Sequence, residues 1–315
     1  MNISEVSRYF PRARFGEIGE LRPINDGLSG ARVFAATTES GEYVLRIGPA
    51  RESERWARQL VVQQLAAANQ IAPRIELIDE DGHAVVSAKL GRASFAAVLG
   101  DRGSRQLAVG SLIQVLARLH ALPTEGIGVV DPLAVARGAW NAQSGRAGFP
   151  AWAASIGARF ERFERVLERD RRRVVSHNDV NPGNVLWDAD ERRVWLIDWE
   201  ASGLTHPYYD IASLATFLSM PDEAALGLLA MQEGASISEQ QAEVFSVLRQ
   251  LATIMCGATF LGFVPDLTAL VEDDVNGLVT PRECFGMAAA GALDLRSVRG
   301  QAMVGAALLR VATQA

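Results

Sequence analysis

Lysine is almost absent from this chain of 315 residues: Lys89 is the single one among 31 basic residues, so positive charge is carried almost wholly by arginine. Cysteine is scarce too. Cys256 and Cys284 are the only two, both in apolar or helical-looking surroundings, which excludes a disulfide framework and a zinc-type spacing and points to a reducing, cytoplasmic setting. No second histidine stands at ligand spacing from His177, which argues against a metal hydrolase built on His177 and Asp179. The net charge of -6 lacks the basic excess of a nucleic-acid binder, and suits a small cationic or neutral substrate. Met1 to Glu20 has no apolar core of the kind a signal peptide needs. The most apolar late stretch, Leu251 to Val264, is too short to span a bilayer and carries Thr253, Cys256 and Thr259. It reads as a buried helix, and no membrane partner is expected.

What is present is an ordinary globular composition, 49% hydrophobic and 22% charged, enough to bury a core and make one or two domains. Residues 20 to 48 read as strands, with Val33–Thr37 and Tyr43–Ile47 joined across Glu39-Ser40-Gly41 as a hairpin. Before them lies Asn25-Asp26-Gly27-Leu28-Ser29-Gly30. Its small residues, Ser29 and Gly30 among them, read either as a phosphate cradle or as a plain Gly-rich turn. Alternation puts Val44, Arg46 and Gly48 on one face of their strand and Tyr43, Leu45 and Ile47 on the other. A strand cation behind such a loop is where protein kinases keep a phosphate-binding lysine. Here only Arg46 is available for that role, with a surface arginine on an edge strand as the other reading.

A helix is expected over 53 to 69, with Val61, Leu65 and Ala68 as its inner stripe and Glu54 on the same stripe, positioned to pair with Arg46. Glu52 is the competing partner. Strands Ile75–Ile78 and Ala84–Ala88 follow, and from residue 93 the pattern turns helical. Leu112, Val115, Leu116 and Leu119 form a buried stripe that ends at His120, read as a packed residue. Residues 148 to 172 read as an amphipathic helix closing on a solvated arginine run. Later helices are expected over Tyr209–Met220 and from Thr280, where Pro281 and Glu283 complete a capping box. There is no internal repeat.

The chemistry concentrates in 176 to 200. Asp179 and Asn184 lie five residues apart on a loop with Pro182 and Gly183, a spacing that suits a tight loop rather than a helix face. Val185–Trp187 and Val194–Ile197 flank a polar turn. A hairpin centred near residue 191 brings Asn184 opposite Asp198. Two facing oxygen ligands suit magnesium, which keeps water and phosphate in the rest of its shell. Asp179 is positioned to accept a proton from a substrate hydroxyl, and phosphoryl transfer needs little beyond positioning, metal and an orienting base.

His177-Asn178-Asp179 with Asn184, followed by Ile197-Asp198-Trp199-Glu200, resembles the catalytic and metal loops of the aminoglycoside phosphotransferase/choline kinase superfamily. Gly27–Gly30, Tyr43–Ile47, Leu116–His120, His206-Pro207 and Asp210 extend the resemblance over roughly residues 20 to 220. It implies an α+β, protein-kinase-like fold in two lobes: residues 1–90 as a small antiparallel-sheet lobe with one main helix, and 91–315 as a larger, mainly helical lobe. It also implies ATP and Mg2+ as cofactors. Asp179 is then the base, Asn184 and Asp198 the magnesium ligands, and Ser29, Gly30 and Arg46 the ATP-phosphate contacts, with Glu54 or Glu52 behind Arg46. Gln59 matches the helix-glutamate position equally well. His177 and Asp210 brace the loop.

Asp198-Trp199-Glu200 resembles the choline, ethanolamine and thiamine kinase branch more than the antibiotic-modifying enzymes. Glu200, Trp199 and Tyr208, with Tyr209 and Trp152, offer a site for a substrate ammonium by charge and cation–π contact, while packing is the competing role for these aromatics. Asp222, Glu223, Asp273 and Asp274 are further pocket candidates. The expected activity is thus phosphorylation of a hydroxyl on a small molecule such as choline, ethanolamine or thiamine. An aminoglycoside phosphotransferase, distinguished by a larger acidic rim, and a nucleotide-binding pseudokinase are the alternatives. Retention of Asp179, Asn184 and Asp198 together speaks against the last.

Overall fold

A computed structural model describes residues 3–24, 30–49, 53–91, 93–269 and 279–314. The chain divides into two compact units, Met1–Ile127 with Gly183–Gly203, and Gly128–Pro182 with Leu204–Ala315. This grouping is drawn by packing, and places residues 91–127 and 183–203 with the sheet. The line at residue 90 is drawn by role.

The first unit is built on a five-stranded antiparallel sheet in the order β1-β2-β3-β5-β4, from β1 (Ile18–Ile24), β2 (Arg32–Thr38), β3 (Gly41–Ile47), β4 (Ile75–Asp79) and β5 (Ala84–Ala88). The β2–β3 hairpin turns at Glu39-Ser40 and pairs Phe34 with Leu45, as the alternation requires. One face of the sheet carries Phe34, Tyr43, Leu45 and Ile47 into a core closed by Tyr9, Phe10 and Phe15. That N-terminal aromatic cover is supplied by residues with no periodic signal of their own. Phe15 meets Tyr43 edge-on at 4.9 Å and Phe10 at 5.3 Å. On the other face lie Val44 and Arg46, with helix α1 (Ser53–Ala68), whose Trp56 and Leu60 pack on Val85, Ile75 and Ile78.

The buried face of α1 differs from the expected stripe. Trp56, Gln59, Leu60, Val62, Gln63 and Ala66 are buried, whereas Val61 and Ala68 are exposed. Two glutamines on the inner face make its hydrophobic periodicity weak, so the apolar count favours the wrong side of the helix. Glu54 shares that outer side and is exposed. Helix α2 (Arg102–His120) starts on Asp101, whose carboxylate accepts from the amides of Gly103 and Ser104. It buries Leu112, Val115, Leu116 and Leu119 as expected.

The second unit is mainly helical: α3 (Pro132–Ser144), α4 (Phe160–Leu167), α5 (Tyr209–Phe217), α6 (Asp222–Glu233), α7 (Glu239–Gly262), α8 (Pro281–Ala289) and α9 (Val298–Gln314). Residues 148–172 are not one helix. A 3-10 segment, Ala151–Arg159, follows Pro150 and passes into α4, where Phe160, Phe163 and Val166 are buried at three-residue spacing. Helix α7 is the axis of this unit and contains the apolar stretch that begins at Leu251. It is long and apolar enough to cross a membrane, but 78% of its most apolar window is buried inside the protein. It begins with a capping box at Ser238 and crosses α9 at Gly257 and Gly305. A Cβ on Gly305 would lie 2.9 Å from the Gly257 carbonyl, so the crossing admits no side chain there. The expected capping box at Thr280 and Glu283 opens α8.

Candidate active site

The hairpin that ends the first unit is β8 (Val185–Asp188) with β9 (Arg193–Leu196), and the short strand β6 (Ala93–Ser94) pairs with the other edge of β8. Asp188 is buried and closes its turn, its Oδ1 accepting from the amides of Asp190 and Glu191 at 3.0 and 3.1 Å. The register pairs Val185 with Leu196, and the next rung joins the Ile197 N–H to the Asn184 carbonyl at 3.0 Å. Asn184 therefore faces Ile197, and the expected rung with Asp198 is off by one residue. The closing pair Asp188–Arg193 sets that register. Asp198 has already left the strand, with φ 62° and ψ 73°. An aspartate tolerates this left-handed geometry better than most side chains. The turn sends the chain into a 3-10 segment, Trp199–Ala201.

Asp198 Oδ1 is buried, accepts no hydrogen bond among the described residues, and lies 3.3 Å from Nη2 of Arg46. A buried carboxylate oxygen left without a hydrogen-bond donor suits a hard cation. With the Asn184 amide on the neighbouring rung, the donor set is all oxygen, as magnesium requires.

Arg46 projects from β3 toward α1 and is 14% exposed. Its guanidinium contacts Glu200 Oε2, Asp198 Oδ1 and, at 3.2 Å, the Gln59 side-chain carbonyl. The helix residue that meets Arg46 is therefore Gln59, and Glu54 stands on the outer side of α1. Glu52 and Ser29 lie outside the described residues. Gly30 is exposed, and a Cβ there would meet nothing within 4 Å.

In the second unit, strand β7 (Val174–Ser176) runs into His177 and Asn178, both buried, the latter with φ 67°. Asp210, in the first turn of α5 and fully buried, accepts from the His177 amide at 3.2 Å and the Asn178 amide at 2.7 Å. One carboxylate thus satisfies two main-chain donors and sets the loop's direction. The Asp179 amide approaches Nδ1 of His177 at 3.4 Å, and Asn181 Nδ2 donates to Asp179 Oδ1 at 3.1 Å, fixing that carboxylate's rotation. Asp210 and His177 thus both accept from main-chain amides of this loop. Burial pushes the Tyr209 hydroxyl and the Cys256 thiol above their ordinary ranges, with the negative charge of Asp179 a lesser contribution to each, so both stay protonated.

A family model described as "Phosphotransferase enzyme family" matches residues 20–243, well over half of the chain. The chain belongs to that family. Protein LicA of Haemophilus influenzae is 39% identical over 74 residues, 24% of this chain and 21% of that protein, so the match spans about a fifth of its length. Among solved structures, a choline/ethanolamine kinase family protein from Mesorhizobium loti superposes with a TM-score of 0.71 at 17% identity, covering 100% of this chain and 96% of that one. Choline kinase LicA from Streptococcus pneumoniae gives 0.64 at 16% identity over 91% of this chain and 97% of its own. The α+β, kinase-like fold expected from the resemblance is thereby shown.

Within this phosphotransferase, the residues expected to hold a substrate ammonium are otherwise engaged. Trp199 is 1% exposed and donates its indole N–H to the Leu196 carbonyl at 3.2 Å. Tyr208 is fully buried. Its hydroxyl meets Glu233 and Gln241, and its ring faces the chain's own Arg172 at 4.9 Å. Tyr209 is buried, and Trp152 lies under Arg310. Glu200 is shared between Arg46 and Arg55. Asp222 pairs with Arg249, Glu223 is exposed, and Asp273 and Asp274 lie outside the described residues.

Residues unforeseen from sequence are Arg55 and Arg58. Arg55 Nε donates to the Glu200 carbonyl at 3.1 Å and Arg58 Nε to the Ser202 carbonyl at 3.0 Å. Their three-residue spacing, with Arg55 one turn before Gln59, was the available signal. The arginine run is also partly structural. Arg172 forks onto Asp170, which lies 3.2 Å from His206 Nε2, while His206 Nδ1 accepts from the Tyr208 amide.

Proposed function

We propose that this phosphotransferase is an ATP- and magnesium-dependent kinase that phosphorylates a hydroxyl of a small, cationic alcohol of the choline, ethanolamine or thiamine kind. The observation that carries the reading is Asp198: a carboxylate held in a left-handed turn, with a buried oxygen that accepts no hydrogen bond among the described residues and lies 3.3 Å from Arg46, one rung from Asn184. In this reading Asn184 and Asp198 hold magnesium, and the ion would neutralise phosphate charge in the transition state. Arg46 contacts the nucleotide phosphates. Asp179, its carboxylate oriented by Asn181, directs the acceptor hydroxyl and takes its proton. The loop that carries Asp179 is set by Asp210 before any ligand arrives, so its position costs nothing at the moment of reaction.

Residues 1–90 then serve as nucleotide clamp and 91–315 as the body that carries catalysis and acceptor recognition. The cationic character of the acceptor is supported by the net charge of -6 and by the choline kinases among the similar structures, rather than by an aromatic cage. Two free, buried cysteines suit a cytoplasmic setting. The test is ATP turnover against a panel of choline, ethanolamine, thiamine and aminoglycosides, with and without magnesium. Turnover confined to the small amino alcohols or thiamine is the expected outcome. Turnover with aminoglycosides alone, or none that needs magnesium, overturns the reading.

A further inference from the structure

We infer that Glu200 is a positioning residue: it is the carboxylate that holds Arg46 and helix α1 in place for nucleotide binding. The inference rests on the phosphotransfer reading above and gives Glu200 a role other than contact with the acceptor.

Arg46 is largely buried and needs an anion beside it. Glu54 faces outward, and Gln59 supplies only a neutral carbonyl. Asp198 is near, but it is the residue assigned to the metal, and a metal there competes with the guanidinium for the same oxygen. Among the described residues, Glu200 is left as the lasting partner. Its Oε2 meets Nη2 of Arg46, while its Oε1 lies 3.2 Å from Nη2 of Arg55 on α1. Arg55 also grips the Glu200 main-chain carbonyl, and Arg58, one turn along the same helix, grips that of Ser202. One carboxylate therefore ties a strand of the sheet to the main helix and to the segment two residues after Asp198. The charges run opposite to the arrangement expected from sequence: the helix contributes the cations and the loop contributes the acid. Arg46, Arg55 and Glu200 together carry one net positive charge, which suits a polyphosphate.

The experiment moves the carboxylate. The full-length chain and its variants Glu200→Gln, Arg55→Gln and Glu200→Gln/Gln59→Glu are titrated with Mg-ATP by calorimetry, and KM for ATP and for the acceptor are measured separately. Glu200→Gln should weaken Mg-ATP binding about tenfold or more, as expected for losing a charge-assisted pair, with acceptor KM within about twofold. Arg55→Gln, a half-exposed position that leaves the Arg46 pair intact, should weaken it by about threefold. A glutamate at 59, where Arg46 already donates, should restore most of the loss in the double variant. A metal ligand or an acceptor contact would not be rescued from that position.

Unaltered Mg-ATP binding in Glu200→Gln, a rise in acceptor KM alone, or failure of the 59 substitution to rescue overturns the inference. If Glu200→Gln does not fold, unchanged nucleotide binding in Arg55→Gln overturns it instead. Absence of Mg-ATP binding by the wild-type chain would sink the phosphotransfer reading itself.

Discussion

Two left-handed turns carry the residues proposed for the chemistry, and they are held in different ways. Asn178, at φ 67° after β7, presents Asp179, while Asp198, at φ 62° after β9, presents its own carboxylate. Each is a non-glycine residue at the end of a short strand, a backbone cost accepted where a side chain must be aimed. The first turn is bound by neutral main-chain amides to the buried Asp210. The second is surrounded by side-chain charge, with Arg46 reaching both Asp198 and Glu200. Hydrogen bonds to amides fix a loop whatever ligand is present. Ion pairs can be exchanged, and a metal–phosphate site needs partners that give way to incoming charge. The contrast suits the roles proposed above, a rigid base and an adjustable cation site.

The largest expected effect falls on the rigid side. Asp179→Ala should lower kcat by about 10²–10⁴ with Mg-ATP affinity within about twofold, since it removes the proton acceptor and leaves the phosphate contacts alone. Turnover and calorimetry on one preparation decide it, and unchanged kcat would remove Asp179 from its role. On the adjustable side, Asp198→Asn keeps the shape but loses the charge. Turnover should fall on the order of a hundredfold, with a higher magnesium requirement. A magnesium titration that superimposes on the wild type would count against the metal assignment. Asp210→Ala probes the clamp itself. It removes the acceptor of two buried amides, at about 1–3 kcal/mol each, so urea unfolding should register a loss of roughly 2–6 kcal/mol. A variant as stable as the wild type would mean the loop is held by other contacts.

The rigid turn was more legible than the adjustable one, for physical reasons. Residue types at 177–179, 184 and 198 mark both turns because the proposed chemistry needs those groups at short sequence separation. Hairpins β2–β3 and β8–β9 and the box at Thr280 are written in local alternation and cap residues, and could be read within one rung. The partner of Arg46 could not, because Glu200 lies 154 residues away and proximity at that range comes from the tertiary fold. The glutamines on the inner face of α1 misdirected the stripe, and with it the choice of Glu54. Trp199 and Tyr208 read equally well as cage or core. Burial decided for core, because each buried polar tip has a partner inside the protein.

The smallest effect expected comes from a buried network in the rigid turn's own unit. His206 is 2% exposed, and burial lowers its pKa to about 4 from 6.5, outweighing the nearby Asp170, which favours the charged form. Acceptance at Nδ1 from the Tyr208 amide leaves the proton on Nε2, facing Asp170 at 3.2 Å, so the neutral ring is the one that fits. Because the folded pKa lies below the unfolded one, the unfolded chain takes up the proton first as pH falls. The contribution of His206 is therefore complete above 6.5, declines between 6.5 and about 4, and changes little below that. Between pH 7.5 and pH 5 this one group should cost the native state about 2 kcal/mol. Urea unfolding of the wild type and His206→Gln across that range measures it as a difference in pH slope, with the variant the flatter of the two. Parallel slopes would mean that His206 takes up its proton in the folded protein as readily as in the unfolded chain. The interior around Asp170 and Arg172 would then have to accommodate a third charge.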